Sequence, residues 1–398
     1  MKKNNITDLA LWGGGALFKE TLHVGRPNIG VRESLLDRVN DMLDRRWLSN
    51  NGPFQVELEQ KLAALLSVKH CILVNNATIA LEIVIRALDL KGEVIVPSFT
   101  FVATVHALQW MGLTPVFCDI DPLTHNIAPA KVERLITPRT TGIFGVHVWG
   151  RACDIEALTG IAHRRNLRLF FDAAHAFACT HHGRMIGGFG EAEVFSFHAT
   201  KFFNTFEGGA VATNNDDLAE RIRSMRNFGF AGMDNVVGPG TNGKMSEISA
   251  AMGLTSLESL ETFINANYQN YLAYANGLAD IPGIQLTAFD PQEKNNYQYI
   301  VIEVDAALAG VSRDRLVQIL HAENIRARRY FYPGCHQMEP YRSNRFYAGL
   351  SLPETERLTQ RVLQLPTGTA VSSEDVADIC TLIRFVVGNA KEINQRFA

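Results

Sequence analysis

Lys201 follows a short apolar run, Phe195-Ser196-Phe197, through His198-Ala199-Thr200, and leads towards Glu207-Gly208-Gly209. A lysine amine becomes a nucleophile where its surroundings lower its pKa. Its chief use is then a Schiff base with a carbonyl, often the aldehyde of pyridoxal phosphate. Taken alone, a lysine after a strand is a solvated surface charge. The residues upstream change that reading.

The apolar run 167–171 ends in Asp172-Ala173-Ala174-His175, where the alanines leave room for a flat ring and the carboxylate leaves the sheet. Such a carboxylate can keep a pyridine nitrogen protonated, which makes the ring an electron sink. The plain alternative is an aspartate capping the next helix. Its place about thirty residues before a strand-end lysine favours the first reading. Val74 is followed by Asn75-Asn76-Ala77-Thr78 and an apolar helix. The backbone N–H groups of Ala77 and Thr78, with the Thr78 hydroxyl, open a helix N-terminus suited to a phosphate; an ordinary Asx or Thr cap explains the same residues. Ser196 can add a second hydroxyl. Phe101, after Pro97-Ser98-Phe99-Thr100, can cover one face of a heterocycle or belong to the core. Asn242, in the polar loop Gly240-Thr241-Asn242-Gly243-Lys244, can reach a phosphate in its own chain or in another.

These positions need a scaffold. Val31, Leu35, Leu36, Val39, Met42 and Leu43 recur at helical spacing, and the helix stops near Trp47-Leu48-Ser49-Asn50-Asn51-Gly52-Pro53. Seven short apolar runs come next, at 71–74, 94–96, 116–120, 143–148, 167–171, 194–197 and 210–213, most separated by helical stretches such as 78–90 and 155–165. This alternation predicts an α/β fold with a mostly parallel seven-stranded sheet flanked by helices, whose ligands sit beyond the carboxyl ends of the strands. A long helix over about 244–278 is expected to bridge a large domain (31–255) and a smaller C-terminal α+β domain (256–398). The latter holds a strand at 299–304 and helices from 313, 354 and 373. Residues 1–30 form an arm, with Gly13-Gly14-Gly15 as a flexible stretch rather than a phosphate loop.

The 398 residues are 46% hydrophobic and 20% charged, the balance of a soluble globular chain, and a formal net charge of -3 offers no basic field for nucleic acid. The six cysteines lack any Cys-x-x-Cys pair and are expected to be reduced core thiols, neither metal ligands nor disulfides. No apolar run reaches membrane-spanning length, and Met1 to Asp8 lacks a signal-peptide core, so a cytoplasmic location is expected.

With Asp172, His175, Ser196, Lys201 and Glu207-Gly208-Gly209 in this order, the chain resembles the DegT/DnrJ/EryC1/StrS sugar aminotransferases, of pyridoxal-phosphate fold type I. The likeness runs nearly end to end. Val24-Gly25-Arg26-Pro27-Asn28, Trp47-Leu48-Ser49-Asn50, Val146 to Arg151, Phe195 to Lys201, and Tyr332-Pro333-Gly334-Cys335-His336 with Glu339 to Arg342 resemble the 4-aminotransferases of dTDP-4-keto-6-deoxy-D-glucose, of desosamine- and viosamine-pathway type. The resemblance implies that Lys201 carries the cofactor, Asp172 pairs with the pyridine nitrogen and His175 approaches the ring 3-hydroxyl. It also implies that Phe101 stacks on the ring, that Ala77, Thr78 and Ser196 hold the phosphate, and that Asn242 serves the neighbouring subunit of a homodimer. The implied reaction moves an amino group from L-glutamate, by way of pyridoxamine phosphate, to carbon four of the keto sugar. One departure is Phe206, where many members carry glycine in a Gly-Glu-Gly-Gly turn.

A sugar nucleotide brings two phosphates, and Arg26, Lys244, Arg328 and Arg329 are candidate partners, with His336 either a substrate contact or structural. His147 reads as a hydrogen-bonded structural histidine and His198 as a support of the lysine strand. The same cofactor machinery would serve a 3-aminotransferase of a dTDP-3-keto-6-deoxyhexose. A non-catalytic regulatory relative that only binds the cofactor would keep Asp172 and the phosphate cup. A pyridoxamine-dependent 3-dehydratase would have histidine in place of Lys201.

Overall fold

The computed structural model describes residues 3–397. All seven anticipated strands are present: β1 (His70–Val74), β2 (Glu93–Pro97), β3 (Thr114–Cys118), β4 (Thr140–Val146), β5 (Arg168–Asp172), β6 (Glu193–Ser196) and β7 (Gly209–Thr213). They form one sheet in the order β1-β7-β6-β5-β4-β2-β3. Only β7 runs against its neighbours, pairing antiparallel with both β1 and β6. The register sets Asp172 beside Val146 on one side and Val194 on the other.

Each strand feeds both faces. Along β1, Cys71 and Leu73 enter one apolar core while Ile72 and Val74 enter the other, as the two-residue period of a doubly covered strand requires. The helices that cover these faces include α1 (Arg32–Arg45), α2 (Pro53–Leu66), α3 (Ala77–Ala87), α4 (Val102–Trp110), α5 (Pro129–Leu135), α6 (Ile155–Arg165) and α7 (Asp216–Arg226). α2 was not anticipated: its row of Leu58, Leu62 and Leu66 is buried, but Pro53 in front of it reads as a stop when it is the first helical residue. In α1 only Met42 is buried, and Leu36 and Leu43 stay about half exposed.

The single helix expected over 244–278 is two, α8 (Glu247–Glu258) and α9 (Leu260–Leu278), broken at Ser259. No proline forces the break. α8 packs on α1 and α2, whereas α9 packs on the C-terminal helix Ser373–Gly388, and one straight rod cannot serve both surfaces.

Beyond α9, a three-stranded antiparallel sheet of β8 (Ile284–Leu286), β9 (Ile300–Val304) and β10 (Val362–Leu365) builds a third core with helices Arg313–Ala322 and Ser373–Gly388. The N-terminal arm is corrected here as well. Met1 and Lys2 lie outside the described residues, but the rest is pinned: Ile6 and Leu9 enter the third core, and buried Glu323 accepts the N–H groups of Ala10 and Leu17 at 2.7 and 2.6 Å and pairs with Lys3 at 2.9 Å. A fourth apolar cluster, including Phe99, Trp149, Tyr299 and Phe331, joins the large sheet to the small one.

Candidate active site

The carboxyl ends of β1, β5 and β6 open onto a cavity of about 1000 Å³, closed on its far side by the C-terminal sheet and by residues 23–25 of the arm. Lys201, Asp172, His175, Ala77, Thr78, Phe101 and Ser196 all line it. These seven residues come from four separate stretches of sequence.

Asp172 ends β5 with only 7% of its surface exposed. Its carboxylate accepts the Thr104 hydroxyl at 2.7 Å and the Ala174 N–H at 2.9 Å. Thr104 in turn lies 2.9 Å from the Thr100 hydroxyl, which must be the donor because the single Thr104 proton is committed to Asp172. Burial lifts the carboxyl above its ordinary value, against these hydrogen bonds and the Lys201 charge.

Lys201 leaves the turn after β6 and donates from Nζ to the Tyr299 hydroxyl at 2.8 Å. Burial lowers its ammonium to about 8, with Asp172 acting in the opposite sense. The turn is held from three sides. Asn28 donates to the Phe202 carbonyl at 3.0 Å, Gln298 donates to the Thr200 carbonyl at 3.0 Å, and Gly25 packs on Thr200 so closely that a Cβ there would meet its side chain at 2.9 Å.

His175 packs against both Trp149 and Tyr299, at 5.7 and 4.0 Å between ring centres. Its Nδ1 accepts the Trp149 N–H at 3.3 Å, so the ring proton sits on Nε2. Burial, assisted by the Lys201 charge, holds the ring well below its usual pKa and therefore neutral. The string Val146 to Arg151 thereby finds its reason: Trp149 adopts φ +62°, a costly conformation for a bulky residue, and from it delivers its N–H to His175.

At the N-terminus of α3, Asn76 caps the helix by accepting from Ile79 N at 2.9 Å. Among the described residues, the N–H groups of Ala77 and Thr78 and the hydroxyls of Thr78 and Ser196 have no hydrogen-bond partner. The first residue of β7 passes so near that a Cβ on Gly209 would stand 2.8 Å from Ala77 N. A glycine is required there. Free donors at the positive end of an eleven-residue helix, with two hydroxyls beside them, are the donor set for a phosphate. A buried carboxylate, a neutral histidine and a lysine with a depressed pKa complete a site whose chemistry fits pyridoxal phosphate.

The structure separates the remaining candidates. Arg328 faces the cavity, opposite Gln364 across a backbone bridge, and stacks on Tyr330 at 4.4 Å. Arg329 turns away to Asp314 at 3.1 Å. Arg26 lies outside the cavity wall, 3.7 Å from Glu20. Asn242 and Lys244 bond each other at 2.8 Å beyond the cavity of their own chain. His336 is buried and does not face the cavity, in contrast to its candidacy as a substrate contact. It receives the Ser98 hydroxyl at 2.6 Å and reaches Glu356 at 3.2 Å, tying the end of β2 to the C-terminal half. His147 is structural: it accepts the Cys153 N–H at 3.0 Å and meets buried Glu193 at 2.9 Å. His198 lines the cavity and bonds Thr200 at 2.8 Å.

A sequence profile described as the DegT/DnrJ/EryC1/StrS aminotransferase family matches residues 30–384. The chain belongs to this family. Among its relatives is the dTDP-4-amino-4,6-dideoxy-D-glucose transaminase of Shigella dysenteriae, 38% identical over 367 residues that span 92% of this chain and 99% of the relative. The crystal structure of DesI in the presence of its TDP-sugar product superimposes with a TM-score of 0.95 at 48% identity, covering 99% of this chain and all of that one. PseC of Helicobacter pylori, an aminotransferase of pseudoaminic acid biosynthesis, is 26% identical with a TM-score of 0.85, over 92% of this chain and 99% of its own.

Family membership explains the order of the site residues along the chain but leaves out others that the fold brings in. Thr104, Gln298, Tyr299 and Gln364 carried no sequence signal of their own, since none belongs to a motif that points to chemistry. Asn28 lies within a recognised string, yet its hold on the lysine turn is visible only in three dimensions. Among the described residues no helix is long and apolar enough to cross a membrane.

Proposed function

We propose that this family member transfers the amino group of L-glutamate to carbon four of dTDP-4-keto-6-deoxy-D-glucose, with pyridoxal phosphate as cofactor, giving dTDP-4-amino-4,6-dideoxy-D-glucose. The observation that carries the proposal is the convergence of Lys201, Asp172 and the open N-terminus of α3 on one cavity, in a chain 48% identical to DesI along nearly its whole length.

The bound cofactor supplies a carbonyl for the amine and a ring that accepts electrons from the carbon losing its proton. Ala77, Thr78 and Ser196 hold its phosphate, and Phe101 covers the ring against water. Asp172 holds a proton on the ring nitrogen, and a buried carboxylate anchored by Thr104 and Ala174 cannot swing away from that task. His175 donates from Nε2. Lys201 would take up the proton leaving the donor carbon and return one to the sugar carbon, and its pKa near 8 lets it hold or release a proton at little cost around neutral pH. Arg328 and the cavity rim receive the acidic substrates.

We infer that the working unit is a homodimer. Val31, Leu36, Leu43 and Trp47 form an exposed apolar stripe on and beside α1, and Asn242 and Lys244 are displayed beyond their own cavity. Both features suit a second copy in which Asn242 reaches the cofactor phosphate of the other protomer.

Incubation with glutamate and dTDP-4-keto-6-deoxy-D-glucose tests the proposal. Glutamate should bleach the absorbance of the lysine-bound cofactor, the keto sugar should restore it, and NMR should locate the new amine on carbon four. An amine on carbon three, or no turnover with a panel of dTDP-, UDP- and GDP-linked 4-keto sugars, rejects it.

A further inference from the structure

The five residues Asn295 to Tyr299, which lead into β9 of the C-terminal sheet, reach across to the large sheet with four of their side chains. Asn295 donates to the Gly150 carbonyl at 3.1 Å, Asn296 to the carbonyls of His175 and Phe177 at 2.9 Å each, and Gln298 to the Thr200 carbonyl at 3.0 Å. Tyr299 completes the series: its hydroxyl is 2.8 Å from Lys201 Nζ, and among the described residues it has no other hydrogen-bond partner. Its ring is 3% exposed, packed at 4.0 Å on His175 and 5.5 Å on Trp149, which leaves the phenol no freedom to follow a moving amine.

We propose that Tyr299 is a positioning residue for the reaction, a phenol fixed at the entry to the C-terminal sheet that holds the free amine of Lys201 at the spot from which it takes up and returns the substrate proton. The proposal rests on the reading of Lys201 as the proton carrier.

A phenol suits the task because it works in both states of the amine. It accepts a hydrogen from the ammonium form and donates its own to the lone pair of the neutral form. Burial pushes its pKa well above 10, so it keeps its proton while Lys201 gains and loses one. A carboxylate in that place would trap the ammonium, and a phenylalanine would leave a four-carbon stem free to wander. Gln298 acts on the same lysine through the carbonyl of Thr200, so neighbouring residues of one segment fix both ends of the side chain.

The test uses the full-length chain loaded with pyridoxamine phosphate, in which the Lys201 amine is free. Thermal midpoints of Tyr299→Phe, Lys201→Met and the double variant form a cycle. Losses that fail to add, the second substitution costing little after the first, support the contact, and additive losses overturn it. In the enzyme loaded with pyridoxal phosphate, Tyr299→Phe should keep KM for glutamate and lower kcat roughly ten- to hundred-fold, the scale of an ångström of misplacement. The kinetic isotope effect with α-deuterated glutamate should rise, because proton transfer becomes the slow step. An unchanged isotope effect and kcat overturn the positioning role. Lys201→Met tells the two failures apart: transamination surviving in that variant removes Lys201 from the chemistry, whereas an inert Lys201→Met beside a wild-type-like Tyr299→Phe removes Tyr299 alone.

Discussion

The hydroxyl of Thr104, on the first turns of α4, donates to the carboxylate of Asp172 at the end of β5 at 2.7 Å. A group from a different βα unit thus orients the acid that would face the ring nitrogen, and it does so inside the apolar body of the protein, where an unpaired carboxylate would be costly.

Asp172→Asn keeps the Thr104 contact, because the amide oxygen still accepts it, but removes the negative charge that raises the Lys201 pKa. The variant should bind pyridoxal phosphate, show a Lys201 titration displaced below about 8, and turn over orders of magnitude more slowly. The rate of covalent cofactor capture against pH, followed by absorbance, reads the first effect and steady-state kinetics the second.

Lys201→Ala should abolish the absorbance band of the lysine-bound cofactor without loss of fold. It should also change the pH dependence of stability. The folded lysine titrates near 8 and the unfolded one near its ordinary value of about 10.4. Between these limits the unfolded chain holds the extra proton, so this group makes folding more favourable as pH rises through that window. The stability of the unaltered chain without cofactor, relative to Lys201→Ala, should therefore increase from pH 8 upward, measured by denaturant titration; a flat difference contradicts the assigned shift.

Glu193 is fully buried and shared between His147 and the N–H groups of Gly187 and Phe189. His147→Leu removes the side chain that, among the described residues, hydrogen-bonds the carboxylate and should cost about 3–5 kcal/mol, the penalty of a buried ion pair broken on one side. Urea unfolding checks the figure.

Phe206 stands at φ +63° in the turn before Glu207, a left-handed conformation in which a side chain costs roughly 1–2 kcal/mol. Phe206→Gly and Phe206→Ala lose the same ring, but only glycine relieves the backbone. The glycine variant should be the more stable of the two by about 1 kcal/mol, as read from their thermal midpoints. This chain tolerates the strain of a side chain at that position.

If Asn242 serves the other protomer, Lys201→Ala and Asn242→Ala chains complement each other. Each variant alone is impaired at both sites, whereas a hybrid dimer has one intact site. Random reassembly of equal amounts should recover about a quarter of the unaltered activity, half of the dimers being hybrid with one good site each. No recovery would keep Asn242 within its own site, and an Asn242→Ala chain active by itself would put it outside the chemistry.

The chemistry-bearing residues and the fold class were legible in the sequence for a physical reason. A doubly covered strand must be a continuous apolar run, and the residues just past its end must be polar, small or glycine if a ligand is to lie against them. The seven runs and the positions of Asp172, Ala77, Thr78, Ser196 and Lys201 at or near their ends are therefore local properties of the chain. The same locality explains the misreadings. Pro53 serves both as a helix stop and as a first helical residue, and the break at Ser259 comes from two packing surfaces rather than from any helix-breaking residue. Which arginine faces the cavity was also invisible, since Arg328 and Arg329 are neighbours of one type and only the bridge to Gln364 decides between them. The reach of Thr104 to Asp172, of Tyr299 to Lys201 and of Ser98 to His336 spans 68, 98 and 238 residues. Composition and spacing thus determined which groups could react, because that depends on each strand and its own end; the tertiary structure decided how those groups are held, because the holding partners come from elements that meet only when the two sheets close on one cavity.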